Sequence, residues 1–288
     1  MRGPEPRHVA TLLVSCPDRK GLVAALAQLL YGHGINILDA DQHTDQEAGI
    51  FFQRIRFDLA EMHGDRHTLE GGVRETAERF QMRWRITYGD RRPCVAILVS
   101  KQGHCLHDLL LRQQAGELAC DVAQVVSNHR DLGPEVERYG VPFQALPVTP
   151  ETRAAQERAI IELLEAQRVD LVVLARYMQI LSPELCARYP ERIINIHHSF
   201  LPAFVGQDPY RQAHERGVKL IGATAHYVTA ELDAGPIIDQ DVVRVGHEDE
   251  VPDLVRIGRD VERLVLARAV TAHLEDRVLL DGERTVVF

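Results

Sequence analysis

Positive charge is in short supply in this chain. Lys and Arg number 33 against 42 Asp and Glu among 288 residues, and the formal net charge is −9. Nonspecific nucleic-acid binding needs clustered cations to displace counterions, so that class of partner is excluded. A few local Arg or Lys side chains remain enough for an anionic small ligand. A long apolar run is missing near the N-terminus too. Val9–Val14 is too short to span a bilayer and reads as a strand, and no apolar signal region follows the short basic stretch Met1–Arg7. No membrane partner is expected. Cysteine pairing is a third absence. Cys16, Cys94, Cys105, Cys120 and Cys186 are odd in number and contain no C-x-x-C pair. A disulfide framework is not expected, and a reducing compartment, the cytoplasm, fits best. Internal repeats and low-complexity tracts are absent as well. What remains is ordinary for a globular protein, 45% hydrophobic and 26% charged, and long enough for two domains with a core that needs neither disulfides nor metals.

The first 90 residues alternate in a recognisable order. Val9–Val14 is a buried-strand pattern, and Cys16–Gly21 breaks it. Leu22–Tyr31 has helical spacing and ends at Gly32 and Gly34. Ile35–Leu38 and Ile50–Leu59 read as strands, Leu69–Met82 as a helix and Trp84–Tyr88 as a last strand. The order βαββαβ is ferredoxin-like. The polar breaker Gly89–Pro93 is the expected boundary, giving domains over 1–90 and 94–288. From Cys94 strands alternate with helices. Val95–Val99, Val122–Val126, Val169–Leu174 and Ile193–Ile196 are strand-like; Leu106–Gln114, Pro134–Tyr139, Glu151–Gln167 and Pro183–Arg188 are helical. This rhythm predicts an α/β fold, a doubly wound, mostly parallel open sheet with helices on both faces. Two more strands, Leu220–Val228 and Pro236–Val245, precede a long amphipathic helix over Pro252–Leu274. A hairpin turning at Asp281-Gly282 closes the chain.

Ligands of open parallel sheets lie beyond the carboxyl ends of the strands, and the richest polar sequence falls at such an end, Ile193–Phe204. Asn195 and His197 are two residues apart and share a strand face. A carboxamide and an imidazole aimed the same way reach one carbonyl oxygen, as acyl transfer requires for its oxyanion. Polar strand-end residues satisfied by their own neighbours have the same spacing, and spacing alone leaves both readings open. Asp233 lies before the turn Gly235-Pro236. There it either caps the turn or reaches a neighbouring strand end to hold a water and exchange protons. No zinc spacing emerges from the 14 histidines. His197 and His198, adjacent on a strand, are expected to point to opposite faces, and no metal site is expected.

Together these segments resemble the folate-dependent formyltransferase-type catalytic domain. The resemblance rests on Asn195-x-His197, Ser199-x-Leu-Pro202, Gly206, Gly222-Ala-Thr224 with His226, and Asp233-x-Gly235-x-Ile-Ile238, in the family order. It implies that Asn195, His197 and Asp233 act on the formyl group of a folate. In that assignment Asn195 positions the formyl oxygen, His197 donates to the oxyanion, and Asp233 holds the attacking water and shuttles its proton. Ser199, Gly206 and His226 are implied in substrate binding. Leu174–Ser182 resembles the stretch that lines the pterin pocket, which adds Arg176, Tyr177, Met178, Ile180 and Leu181; a short connector packed as core fits the same residues. One departure is Gln207-Asp208, where Ala or Ser followed by Arg, Lys or Asn is expected. Asp208 is expected to alter charge near the substrate entrance.

The turn Ser100–Asp108 bears on subtype. In glycinamide ribonucleotide formyltransferases the first strand leads into a Gly-rich loop whose backbone N–H groups cradle phosphate. Here that turn has one glycine and bulky side chains, poor material for an acceptor nucleotide. Without an acceptor amine, water takes the formyl group. Ser100-Lys101 with His104-Cys105-Leu106 resembles the turn of formyltetrahydrofolate deformylases, and Cys16–Val23, Asn36–His43 and Gly49–Phe52 resemble their ACT domain. The implied reaction is hydrolysis of N10-formyltetrahydrofolate to formate and tetrahydrofolate, with folate as substrate and no cofactor. It would supply formate to one-carbon metabolism and purine biosynthesis. ACT domains often bind small amino acids. The implied effector residues are Asp18, Gly21, Leu22 and Asn36, with the Asp18–Gly21 turn facing Asn36. Glycine or methionine would bind at an interface between ACT domains of a homo-oligomer; a module that only dimerises is the alternative. Two other functions stay in view: a formyltransferase with an amine acceptor, which the Ser100–Asp108 turn disfavours, and a non-catalytic amino-acid sensor, which the complete Asn195–His197–Asp233 set disfavours.

Overall fold

The computed structural model describes residues 8–201 and 209–288. Gly206, Gln207 and Asp208 lie outside the described residues. The chain divides into two compact units, Met1–Arg92 with Glu275–Asp281 and Thr285–Phe288, and Pro93–Leu274 with Gly282–Arg284.

The first unit begins β1 (Val9–Pro17), α1 (Leu22–Gly32), β2 (Asn36–Asp45), β3 (Ile50–Asp58), α2 (Arg66–Phe80) and β4 (Arg83–Tyr88). Its sheet has the order β2-β3-β1-β4. Alternation along β1 makes the core: Ala10, Leu12, Val14 and Cys16 point to one face and bury Leu22, Leu26 and Leu30 of α1 and Leu69, Val73 and Phe80 of α2. Gly21, at φ 95°, makes the left-handed step into α1. Asp65 caps α2 by accepting from the Thr68 amide.

The second unit contains β5 (Cys94–Val99), α3 (His104–Gln114), β6 (Asp121–Ser127), α4 (Gly133–Glu137), β7 (Phe143–Ala145), α5 (Arg153–Ala166), β8 (Leu171–Leu174), α6 (Pro183–Arg188), β9 (Ile193–His197), α7 (Pro209–Glu215), β10 (Leu220–Tyr227), β11 (Ile237–Arg244) and α8 (Val251–Leu274). Sheet order is β11-β10-β9-β8-β5-β6-β7. β9 through β7 pair in parallel, while β10 runs antiparallel to both β9 and β11. From β5 the chain adds β6 and β7 on one side, then returns to add β8 and β9 on the other. The order therefore reverses between β5 and β8, and a crevice is expected at their carboxyl ends. β7 and α7 were not expected from the sequence: β7 is three residues long, and α7 follows the polar stretch after β9.

The chain closes with the hairpin β12 (Val278–Asp281) and β13 (Arg284–Val287). The sequence boundary assigned everything after Cys94 to the second domain. The structure instead groups Glu275–Asp281 and Thr285–Phe288 with the first unit. The reason is the other face of the first sheet, where Leu13 and Phe52 are buried against Leu279, Val286 and Phe288. Arg54, buried on β3, donates to the carbonyls of Glu275 and Asp276 at 3.0 Å each.

Candidate active site

The β9–β10 register places Asn195 opposite His226 and His197 opposite Thr224, so these four side chains stand on one face. Nδ1 of His226 donates to the Tyr227 carbonyl at 2.8 Å. This holds the ring with Nε2 3.2 Å from Asn195 Nδ2 and 3.7 Å from Asp233 Oδ1. Asp233 Oδ2 lies 3.3 Å from His197 Nδ1. The other ring nitrogen of His197, Nε2, is buried and has no hydrogen-bond partner among the described residues. The contact with His197, and next the one with His226, hold the Asp233 carboxyl well below its ordinary value despite partial burial.

Asp233 reaches this position through an unusual backbone. Its φ is 54°, in the left-handed region that aspartate tolerates better than most residues. Two residues on, Gly235 passes so close to β10 that a Cβ there would stand 1.8 Å from the Tyr227 carbonyl oxygen. The Tyr227 amide donates to the Pro236 carbonyl at 2.9 Å, closing the turn. The Gly222-Ala-Thr224 stretch has an equally local cause. Thr224 Oγ donates to the Ser199 carbonyl at 2.9 Å and accepts from the Leu201 amide at 3.0 Å and from Gln240 Nε2 at 2.9 Å, which uses its whole hydrogen-bonding capacity. It thereby ties down the segment after β9, including buried Ser199. A Cβ on Gly222 would lie 2.4 Å from the Asp241 carbonyl oxygen, so that position admits only glycine without a shift.

The segment after β8 splits into outward and inward groups. Met178 is 59% exposed and Ile180 54%, whereas Tyr177 and Leu181 are packed in the core. Its backbone is largely engaged within the protein. The Met178 amide donates to Ser100 Oγ at 2.9 Å, the Ile180 carbonyl accepts from Arg153, and the Ser182 amide donates to Glu157 at 2.7 Å. A small recess is lined by Gln156, Tyr177, Gln179, Ile180 and Leu181.

The Arg176 side chain turns away from this wall. Arg176 has a φ of 64°, and its buried guanidinium stands 3.4 Å from Glu262 Oε2 and 3.4 Å from Gln102 Oε1. Glu262 also faces His104 Nε2 at 2.8 Å and accepts from Tyr210 Oη at 2.6 Å. Burial would raise the Glu262 carboxyl, but these three neighbours outweigh it and hold it below its ordinary value. Burial lowers His198 to about 4, and the Arg176 charge adds to this, so that ring is neutral at neutral pH. His198 follows β9, so strand alternation does not govern it. Its ring centroid lies 5.3 Å from that of His197 and 6.2 Å from that of Tyr210, which corrects the expectation of opposite faces.

Glu262 was missed by sequence reasoning although a signal was present. It lies in the buried row Leu254–Gly258–Glu262–Leu266–Val270 of α8, where a carboxylate interrupts an otherwise apolar i, i+4 stripe. His104, Cys105 and Glu262 bring one possible ligand atom each within 4.8 Å of one another. Tyr210, His104 and Arg176 already engage the carboxylate, and burial pushes the Cys105 thiol well above its ordinary value. The three read as part of a hydrogen-bonded cluster beside a guanidinium, a poor place for a cation.

The expected effector constellation is not formed within one chain. Val9 of β1 pairs with Asp58 of β3 and Pro17 with Ile50, while Asn36 of β2 pairs with Asp58 and Asp45 with Ile50. Asn36 therefore lies at the opposite end of the sheet from Asp18, about 30 Å away at ~3.3 Å per strand residue. The cause is α1, which carries the chain back along the sheet between them. Leu22 is buried in the core of the unit, leaving Asp18 and Gly21 exposed at the turn.

Comparison with known proteins matches residues 94–270 to the formyl transferase family and residues 10–62 to the ACT domain family. The formyltetrahydrofolate deformylase of Synechocystis sp. is 53% identical, covering 97% of this chain and 98% of its own. The crystal structure of a formyltetrahydrofolate deformylase from Pseudomonas syringae pv. tomato superposes with a TM-score of 0.96 at 48% identity, covering 99% of this chain and 95% of that one. Glycinamide ribonucleotide transformylase 1 from Symbiobacterium toebii matches at a TM-score of 0.65 and 37% identity, over 68% of this chain and 94% of its own.

Proposed function

The chain belongs to the formyltetrahydrofolate deformylase family, and we infer from this that it is a hydrolase that releases formate from N10-formyltetrahydrofolate and returns tetrahydrofolate. We propose Asn195, His197 and Asp233 as its catalytic groups. The observation that carries the assignment is the state of His197, with Asp233 at Nδ1 and a buried, partnerless Nε2. Such a nitrogen is costly unless something arrives to bond it. In the proposed reaction the formyl oxygen lies between His197 Nε2 and the amide of Asn195, whose second N–H is left over from the His226 contact. Water attacks the formyl carbon, and Asp233 takes its proton. The C–N10 bond breaks as N10 gains a proton, which Asp233 returns. Exposed Met178 and Ile180 would supply apolar wall for the pterin. This scheme calls for no cofactor, the folate being the substrate.

Incubation of the purified chain with N10-formyltetrahydrofolate in buffer alone tests the reading. Formate should appear in step with tetrahydrofolate, and glycinamide added as an amine acceptor should not be formylated. Absence of formate would overturn it.

We further propose that the first unit assembles a homo-oligomer through β2 and takes a small amino acid such as glycine or methionine at the interface. β2 is an edge strand of ten residues, mostly exposed, including Ile37 and Leu38, which is a surface that proteins usually cover. Two β2 edges related by a twofold axis run antiparallel. That pairing brings Asn36 of one copy towards the sheet end that carries Asp18 of the other, which a single chain cannot do. None of the five cysteines is in a disulfide, and no helix among the described residues is long and apolar enough to cross a membrane. Both support placement in the cytoplasm, where the formate would enter one-carbon metabolism and purine biosynthesis.

A further inference from the structure

The crevice between the carboxyl ends of β5 and β8, where the strand order reverses, is the expected ligand cleft of this sheet. Here it is shut. Ala175 N donates to Leu98 O at 2.8 Å and Ser100 N to Arg176 O at 3.2 Å, so backbone pairing continues past both strands. Over this seam lie Gln102 from the turn after β5, His104 at the start of α3, Arg176 from the turn after β8, Tyr210 of α7 and Glu262 of α8; Glu262 contacts His104, Tyr210 and Arg176, and Arg176 contacts Gln102. Only one ring separates the cluster from the catalytic imidazole, since His198 stands between Tyr210 and His197.

We propose that the Arg176–Glu262–His104–Tyr210 cluster fills the place of an amine acceptor and so selects water as the nucleophile. The inference rests on the hydrolase reading above. Three observations carry it. First, the second unit has the fold of a glycinamide ribonucleotide transformylase, so the choice of nucleophile must lie in side chains at the strand ends. Second, an attacking amine has to lose a proton and needs an acceptor for it. The carboxylate of this cluster is Glu262, and both its oxygens already have partners: Oε1 accepts from Tyr210, and Oε2 faces His104 with Arg176 alongside. The rest of the cluster offers an amine mainly donors. Third, Arg176 is a poor structural ion pair. Its Nε and Nη1 are buried without hydrogen-bond partners among the described residues, and its backbone is left-handed. A guanidinium held for stability is normally engaged by a two-pronged bond. This one occupies space at a cost, as residues at functional sites do.

Arg176→Gly is the direct test, because glycine adopts the φ of 64° without strain. Wild type and variant are given N10-formyltetrahydrofolate with increasing glycinamide, and formate and formylglycinamide are measured together. In the transfer the amine nitrogen bonds the formyl carbon, the C–N10 bond breaks, and N10 takes the proton the amine gives up. The wild type should yield formate with formylated amine at the detection limit, whereas the variant should raise the ratio of formylated amine to formate at least about tenfold above that limit, a modest difference in selectivity. A cluster that only supports the fold would lower both products together and leave the ratio unchanged, and that result in the folded variant would overturn the proposal. If Arg176→Gly does not fold, His104→Ala removes the hydrogen-bond partner of Glu262 Oε2 and trims the same cluster, and the same ratio decides. A wild type that releases no formate would defeat the hydrolase reading itself, which the ratio does not test.

Discussion

At the scale of single residues, the proposed chemistry turns on Asp233. Its two oxygens face His197 and His226, and those contacts depress its pKa. A depressed carboxyl contributes stability that is present above its ordinary value and lost as pH falls through the lowered one. Asp233 should therefore remain ionised throughout the ordinary carboxylate range and add no acid limb to turnover above it. Asp233→Asn keeps the shape and removes the base, so kcat should fall at least ~10²-fold with folate binding largely kept. Met178→Ala, which trims only exposed wall, should weaken binding more than kcat. Near-normal turnover of Asp233→Asn with collapsed folate affinity would make Asp233 a binding residue. Asn195 and His197 were legible in the sequence because a strand repeats every two residues. Glu262 was not, since a carboxylate in a long helix is ordinarily read as solvated surface, and its buried row becomes visible only when α8 is packed.

At the scale of elements, turns are where the site is built and where sequence reading failed most. Strand and helix identities followed from periodicity, so the βαββαβ order and the mostly parallel second sheet were both anticipated. β7 was hidden by its three residues between Pro142 and Pro147. α7 was missed although Pro209 at its start and Gly217 after its end are helix punctuation. The Asp18–Gly21 turn does not face Asn36 of its own chain, because α1, 11 residues long, separates the two by the length of the sheet. The turn carrying Asp233 makes the most direct prediction at this scale. A Cβ at Gly235 would meet the Tyr227 carbonyl at 1.8 Å, backbone against backbone, so Gly235→Ala must move the turn. The chain can still fold, but a shift of about 1 Å at Asp233 is enough to cost on the order of 10²-fold in turnover. Kinetics with a circular-dichroism melt will separate that effect from unfolding; full activity in the variant would show that the turn absorbs the methyl group without moving Asp233.

At the scale of the whole molecule, the chain does not divide as the sequence suggested. The structural division falls between Arg92 and Pro93, inside the polar breaker Gly89–Pro93. The C-terminal hairpin was legible as a hairpin, but nothing in its own residues says which sheet it covers. That depends on Leu13 and Phe52, apolar side chains on the face of the first sheet that its helices leave open, and on Arg54, a buried cation needing carbonyls. Asp276 completes the arrangement: Arg85 donates to it at 3.0 Å and Thr87 at 3.0 Å, and Arg85 is its ion-pair partner. A chain ending at Leu274 loses all of this at once. Arg54 keeps only Asp39 and Asp41, both half-exposed, and Leu13 and Phe52 become open to water. Losing the two hydrogen bonds from Arg54 costs about 1.5–3 kcal/mol each, and together with the uncovered apolar face that is a large part of what a domain of this size has. The truncated chain should therefore show an early melting transition of the first unit in calorimetry, with the second unit melting near its full-length temperature. If the two chains melt alike, the hairpin is an appendage, and the first unit is complete at Arg92.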